Sequence, residues 1–586
     1  MLSSPVCCGL YMPLAFHRPR PSRLAFALLL AATSAQAHVD LDLSYVDTGG
    51  AKYTRFKNWV DAAVGGSPGY AFSATDAAFM AELDGDASYC TLAVQMVEQQ
   101  VSDAEALIAM SQRPAVSYDS YLEVGDMIRD LAITYDWCEI YTTAPQRTRW
   151  ANYAEQAVWN VWNPNNAEWG GNPFPWSGWS INDPGNNYYY SFLEATISWA
   201  QASDSTTWKN FIATQKIPPL QDYFALLPGG GSSEGTGYGT SHMRLFWLYR
   251  LWRDAEGSDP SASNTHRDNS ILYWAHATVP GNDRFAPIGD QARVSEPVLF
   301  DYQRRLMLEA RALSTDPTTR YIASGWLNRI SVDQMEQGFN FRHDLLDAGS
   351  SSAFPTTLHY LAEGTGHLFA RTSWQPDAWW ISFVAGRFEQ SHAHEDQGSF
   401  TFYGEGTWQV VTENIWSHSG IEQGGEVHNL LRFDHNGQPV RQQRGTASSM
   451  SAVRQMDGSL SVHANLLPAY DGQTGVNAWT RDLSFDANGL VVDDLFSIDA
   501  QTTATFQLNL PEAPIIVGNH VHVGALDIEV ELPEAPTFNL IDWHALDAGE
   551  FNSGYRLDIG GSNSHYRVIL RPVDRVFADG FEGDAP

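Results

Sequence analysis

Ser391-His-Ala-His-Glu-Asp-Gln-Gly-Ser399 runs directly into Phe400-Thr-Phe-Tyr403, and the chain reads differently on its two sides. Downstream the apolar period is two. Trp380-Ile-Ser-Phe-Val384, Ser399-Phe-Thr-Phe-Tyr403 and Tyr566-Arg-Val-Ile-Leu570 are strands, and Asn436-Gly437, Asp457-Gly458 and Asn488-Gly489 are hairpin turns. Upstream, from about 55 to 330, the period is helical. Val124, Ile128, Leu131, Tyr135 and Cys138 form one apolar helix face. Pro145 opens the next helix, with Trp150, Ala154, Ala157 and Val161 as its stripe, and helical stretches follow at 188–201, 209–225, 240–255, 296–313 and 319–329. Paired helices in series predict an (α/α) toroid or solenoid, and the second half predicts a large antiparallel β-sandwich. The expected domains are 38–346 and 347–574, parted at the small polar stretch Asp347-Ala-Gly-Ser-Ser-Ser352, with an acidic tail at 575–586.

At 586 residues the chain is long enough for at least two cores. Its 21 Trp, 24 Tyr and 28 Phe exclude general disorder, and its aperiodic Gly and Pro exclude a fibrous rod. A net charge of −33 argues against nucleic acid, whose phosphates require a basic face. The cations are chiefly arginine, with Lys52, Lys57, Lys209 and Lys216 the four lysines, and arginine is the better fork for carboxylate or sulfate.

Residues 1–37 contain Arg18, Arg20 and Arg23 but no carboxylate, then an apolar run from Leu24 to Ala32 and the small-residue pattern Ala35-Gln-Ala37. This is the pattern of a secretory signal peptide cleaved near Ala37, and the run is too short to span a bilayer. A secreted or periplasmic protein of charge −36, with no membrane partner, is expected. Cys7 and Cys8 would leave with the leader. Cys90 and Cys138 remain, as one disulfide or as two buried thiols.

Four segments can carry chemistry. Asp183-Pro-Gly-Asn-Asn-Tyr-Tyr-Tyr-Ser191 is a turn into a helix: Asn186 and Asn187 can cap it or bind a substrate carboxyl, and Tyr188–Tyr190 can stack on sugar or pack in the core. Gly229-Gly-Gly-Ser-Ser-Glu-Gly-Thr-Gly-Tyr-Gly239 lacks the Gly-Lys-Ser/Thr ending of a phosphate loop, but it lets backbone approach a large ligand and presents the Tyr238 phenol. In the 391–399 segment, an extended backbone would put His392, His394 and Asp396 on one face, which suits proton transfer or metal binding. Glu426-Val-His-Asn-Leu430 adds His428.

Together these segments resemble the heparinase II/III-like polysaccharide lyases, a group that includes toroidal alginate lyases. The resemblance rests on Asp130–Trp137, Gly185-Asn-Asn187, Glu234-Gly-Thr-Gly-Tyr238, Ile288-Gly-Asp290, His392–Phe400, Trp408 and Val427-His-Asn429, in that order. It implies a toroid joined to a β-sandwich and β-elimination at a uronic acid, a reaction that needs no cofactor. It implies that Asn187, with Asn186, neutralises the substrate carboxylate, and that Tyr238 and His392 are acid and base in either order. Asn186, Tyr188, Glu234 and Arg244 are expected to contact substrate. His394 and His428 match positions that hold a structural zinc in some members, with Glu413 as third ligand if the register of Val410-Val-Thr-Glu413 slips. The chain departs from the family at Tyr188, where some relatives have His, and at the missing Asp of the 410–413 strand.

The substrate implied is an acidic polysaccharide: alginate, or a glycosaminoglycan such as heparan sulfate or hyaluronate. Arg244, Arg371, Arg387 and Arg432 lie near the motifs and could bind its anions or serve in ion pairs. Two other functions fit the composition. A toroidal glycoside hydrolase could use Asp183, Glu234 and Asp290, and a non-catalytic carbohydrate binder could use the aromatic surface.

Overall fold

The computed structural model describes residues 39–290, 296–330, 338–346, 351–413 and 423–573. The expected leader and acidic tail lie outside the described residues. Helices occupy the first half: α1 (Ala51–Val64), α2 (Ala74–Asp84), α3 (Ala87–Ala109), α4 (Val124–Trp137), α5 (Ala144–Trp162), α6 (Asn187–Ala202), α7 (Thr206–Phe211), α8 (Ile217–Ala225), α9 (His242–Glu256), α10 (His266–Ala277), α11 (Asp301–Leu313), α12 (Pro317–Arg329) and the short α13 (Phe341–Asp344). None of them is long and apolar enough to cross a membrane.

The helices make a toroid. Helices α2, α4, α6, α9 and α11 pack in succession, and α13 packs between α11 and α1. Helices α3, α5 and α10 with α12 lie against this ring. The local reasons are visible. Ser73 and Asp76 form a reciprocal capping box on α2, Thr143 and Gln146 do the same on α5 with Pro145 in its first turn, and Asn186 caps α6. The stripe predicted on α4 is the buried face, with Val124, Ile128 and Leu131 fully enclosed. Cys90 on α3 and Cys138, just beyond α4, are disulfide-bonded.

The inner helices also carry a belt of buried charge. Arg342 pairs with Asp76 at 2.6 Å, Arg129 with Glu194 at 2.9 Å, Arg244 with Glu194 at 2.8 Å, and Arg250 with Glu309 at 2.8 Å. Each pair joins two helices of the ring. Such pairs add little net stability over apolar packing, but removing one partner strands a buried charge and costs ~3–5 kcal/mol.

Apart from a short hairpin, Glu168–Trp169 with Asn172–Pro173, the strands follow from His359. A five-stranded antiparallel sheet runs in the order His359–Ala362, His367–Arg371, Trp380–Val384, Phe400–Gly404, Thr407–Val410. An eight-stranded sheet, centred on Val476–Asp486, Gly489–Ile498 and His565–Pro572, and a second five-stranded sheet around Thr502–Leu510 complete the second half. One apolar core, including Phe383, Phe402, Trp479, Phe506 and Val568, spans all three. The helical and β halves thus match the expected architecture, and residues 347–350 of the expected boundary lie outside the described residues.

The first sheet docks on the toroid. Trp380 Nε1 donates to the His276 carbonyl at 3.0 Å, and Tyr273 Oη meets His367 Nδ1 at 2.7 Å. Arg371, read from the sequence as an anion binder or an ion-pair residue, is buried here and donates to the His276 and Thr278 carbonyls. Tyr360 Oη donates to Gly229 O at 3.1 Å, which brings the glycine-rich loop against the sheet.

Candidate active site

Three backbone segments are stitched together at Gly289. Thr236 N donates to Ile288 O at 2.8 Å, and Asp290 N donates to His392 O at 3.0 Å. Gly289 has φ +70°, and a Cβ there would sit 2.7 Å from both the Glu234 and His392 carbonyl oxygens. Only glycine fits this crossing. The loop 229–239, the 286–290 turn and the 391–399 segment therefore converge, and their side chains form one cluster.

At its centre the Tyr238 and His392 rings stack, with centroids 3.5 Å apart and planes 9° from parallel. His392 Nδ1 lies 2.7 Å from Asp290 Oδ2, and His394 Nε2 lies 2.7 Å from Asp290 Oδ1. Gln423 Nε2 donates to both oxygens at 3.2 Å. Burial pushes the Asp290 carboxyl up, but the hydrogen bonds from His392 and His394 outweigh it and hold the group well below the usual carboxylate range. Asp290 is therefore an acceptor, which assigns the protons: His392 carries one on Nδ1 and His394 one on Nε2. His394 Nδ1 and His428 Nε2 share a hydrogen bond at 3.1 Å. Burial, with His394 alongside, holds His428 well below the ordinary imidazole range, so it is neutral.

The 391–399 segment is a pair of turns, not an extended strand. His392 and His394 still converge, but on Asp290 of the toroid rather than with Asp396. Glu413 does not join the histidines as a ligand. Its carboxylate abuts Gly554, and among the described residues no group of three His, Cys, Asp or Glu is spaced to hold a metal ion. A structural zinc takes four ligands. The two imidazoles and their carboxylate form a hydrogen-bond chain behind His392, and the described donor set falls short of a zinc site.

The paired asparagines divide. Asn186 is buried, its Oδ1 accepts from Tyr188 N at 3.2 Å, and its Nδ2 donates to Glu234 Oε1 at 3.3 Å. Its amide is committed to the helix cap rather than to substrate. Asn187 makes no side-chain hydrogen bond among the described residues, and its Oδ1 is buried without a partner. Glu234 is wholly enclosed. Burial pushes its carboxyl far up, against a hydrogen bond from the Asn187 backbone N–H. It holds the asparagine turn from beneath and is not presented to a ligand. Gly185 is required there, since a Cβ would strike Tyr223 and Gln390.

Tyr188 is half-buried and donates to Asp119 at 3.0 Å; burial first and that bond second push its phenol up. Arg244 does not point a vacant fork at the cleft: it is ion-paired to Glu194 and Asp126. Arg387 donates to Gly364 O, and Arg432 to Gln507 and the neighbouring aspartates, so neither is an uncommitted anion binder. Sequence reasoning set Asp290 among alternative hydrolase acids and passed over Gln423. The Ile288-Gly-Asp290 motif was the signal for the first, and nothing local marks the second.

The arrangement, a toroid with a phenol–imidazole pair at its junction with a β-sheet, can be set beside solved structures. The chain shares its fold with heparinase III. The TM-score is 0.59 over 85% of this chain and 75% of that one, at 14% identity. Heparan sulfate lyase HepC from Pedobacter heparinus aligns with TM-score 0.53 over 86% and 75% of the two chains at 14% identity. The chondroitin AC lyase of Streptomyces coelicolor A3, solved with chondroitin sulphate, gives 0.54 over 90% and 81% at 12% identity. No family model matches the sequence, and no curated protein does. The heparinase III fold inferred from the motifs is thus the fold observed.

Proposed function

We propose that this protein is an exported polysaccharide lyase that cleaves a uronate-containing polysaccharide by β-elimination. The observation that carries the proposal is the stacked Tyr238–His392 pair backed by Asp290, and the uncommitted amide of Asn187 supports it. The lyase activities named for the proteins of similar fold support the same class.

In the proposed reaction the uronate carboxylate lies against Asn187. Negative charge builds on that carboxylate as the C5 proton leaves, and an amide donor placed there stabilises it. With its Nδ1 proton on Asp290, His392 is basic at Nε2 and takes the C5 proton. The electron pair forms the C4=C5 double bond as the C4–O bond breaks. Tyr238 gives its phenolic proton to the departing oxygen. The stacked rings support a reaction in which both groups act from one side of the sugar.

Digests of alginate, hyaluronan, chondroitin and heparan sulfate, followed by short-ultraviolet absorbance, test the class directly. Unsaturated uronate absorbs there, whereas hydrolysis yields only reducing ends. Tyr238→Phe is expected to lower turnover by ~10²–10⁴-fold while folding normally. Elimination from a uronate bearing an aryl leaving group at C4, which needs no proton donor, should survive in that variant. Loss of both reactions would make Tyr238 the base instead. Asn187→Ala is expected to cost ~10²–10³-fold in turnover.

A further inference from the structure

On the inner helices Arg129, Arg244, Arg250 and Arg342 hold carboxylates. Among the described residues Arg305 on α11 does not. It is 9% exposed, and its Nε and Nη2 are buried with no hydrogen-bond partner among the described residues. The acids near it are already engaged: Glu194 by Arg129 and Arg244, Glu309 by Arg250 and His343. Burying a guanidinium without hydrogen bonds costs several kcal/mol, so such an arrangement persists where an anion completes it. Burial first, with Arg342 and Arg129 nearby, pulls Arg305 down to about 10 against Glu194 and Glu309, which leaves it a full cation at neutral pH.

Arg305 lies next to the site already described. Helix α11 packs against the Tyr238–Ser241 turn. Three residues before Arg305, the Tyr302 phenol feels the charges of Arg305, Asp126 and Arg244. Tyr302 is 37% exposed and belongs to a row of rings: it lies 4.9 Å from Phe300 and 5.7 Å from Phe339, which is 6.3 Å from the exposed Tyr70. Aromatic faces stack on the C–H faces of pyranose rings, and a guanidinium beside them takes an oxyanion in a two-pronged bond.

We propose that Tyr302 and Arg305 form a subsite for an acidic sugar, with the ring stacked on Tyr302 and its oxyanion, carboxylate or sulfate, bound by Arg305. The proposal rests on the lyase reading and extends it by naming where the chain is gripped away from the reacting bond.

The test is calorimetric binding of oligosaccharide fractions of alginate, hyaluronan and heparan sulfate to the Tyr238→Phe protein. In that background, Arg305→Met is expected to raise Kd by ~10–100-fold and to reduce its dependence on salt. Tyr302→Ala should weaken binding, and Tyr302→Phe should retain it, because the face and not the hydroxyl makes the stack. If Arg305→Met fails to fold, the two Tyr302 variants decide alone. Weakening on heparan sulfate only identifies the oxyanion as sulfate, and weakening on all three identifies carboxylate. Parent-like affinity in folded Arg305→Met and Tyr302→Ala would overturn the subsite while leaving the lyase reading intact. No unsaturated product from any polymer with wild-type protein would overturn both.

Discussion

Asp290 receives hydrogen bonds from His392, His394 and Gln423, and its charge fixes which nitrogen of each imidazole carries a proton. Asp290→Asn keeps the shape but offers one acceptor and two N–H donors. His392 would then turn or change tautomer, and its basic nitrogen would no longer face substrate. Turnover is expected to fall by ~10³–10⁴-fold with substrate affinity little changed, the pattern for losing a carboxylate that orients a catalytic imidazole. Steady-state kinetics on the cleaved polymer would show it, and a large rise in KM with unchanged kcat would contradict the orienting role. At this scale the sequence was legible where its motifs converge: Tyr238 of the glycine-rich loop and His392 of the 391–399 segment stack on one another. It was misleading where a side chain has two plausible partners. Asn186 donates to Glu234, and Arg244 pairs with acids 50 and 118 positions away in the chain; no local pattern reveals such pairings.

Element by element, the apolar periods placed the helices and strands well because burial imposes those periods. The hairpin after Val476–Asp486 shows the finer limit. Asp486 pairs with Gly489, so the two-residue loop is Ala487-Asn488, and Gly489 at φ +128° is the first residue of the returning strand rather than part of the turn. A less regular element links α7 to α8, where Ile212–Lys216 forms a π-turn that buries Lys216. Its Nζ donates to Ile181 O at 3.0 Å and lies 4.0 Å from the Trp162 ring. Burial lowers this ammonium from 10.5 to about 8. Below pH 8 both folded and unfolded chains hold the proton, and the folded state bears the full penalty, on the order of 3 kcal/mol. Between about 8 and 10.5 the folded state releases the proton first, so stability rises relative to a chain without the lysine. Lys216→Met should therefore be more stable than wild type at pH 7, and the gap should narrow by pH 9.5 in urea denaturation. An equal gap at both values would contradict the assigned burial penalty.

At the level of the whole molecule, the question is whether toroid and sandwich behave as one body. The Trp380–His276, Arg371–Thr278 and Tyr273–His367 bonds bury the first sheet against α10, and the stacked pair draws Tyr238 from one half and His392 from the other. That composite site explains why neither half of the sequence was decisive alone. The Cys90–Cys138 bond closes a loop of 48 residues wholly inside the toroid, and by chain entropy it should stabilise the folded state by about 4 kcal/mol. If the halves unfold together, the entropy of unfolding is spread over more than 500 residues and reduction lowers a single Tm by only about 4 °C. If they unfold apart, only the toroid's transition moves, and it moves further because fewer residues share the loss. The shared interface predicts the first outcome. Scanning calorimetry of oxidised protein and of a Cys90→Ala, Cys138→Ala double variant would distinguish them: one cooperative peak shifted slightly supports a single body, while two peaks with one displaced would show that the catalytic pair spans a joint able to open.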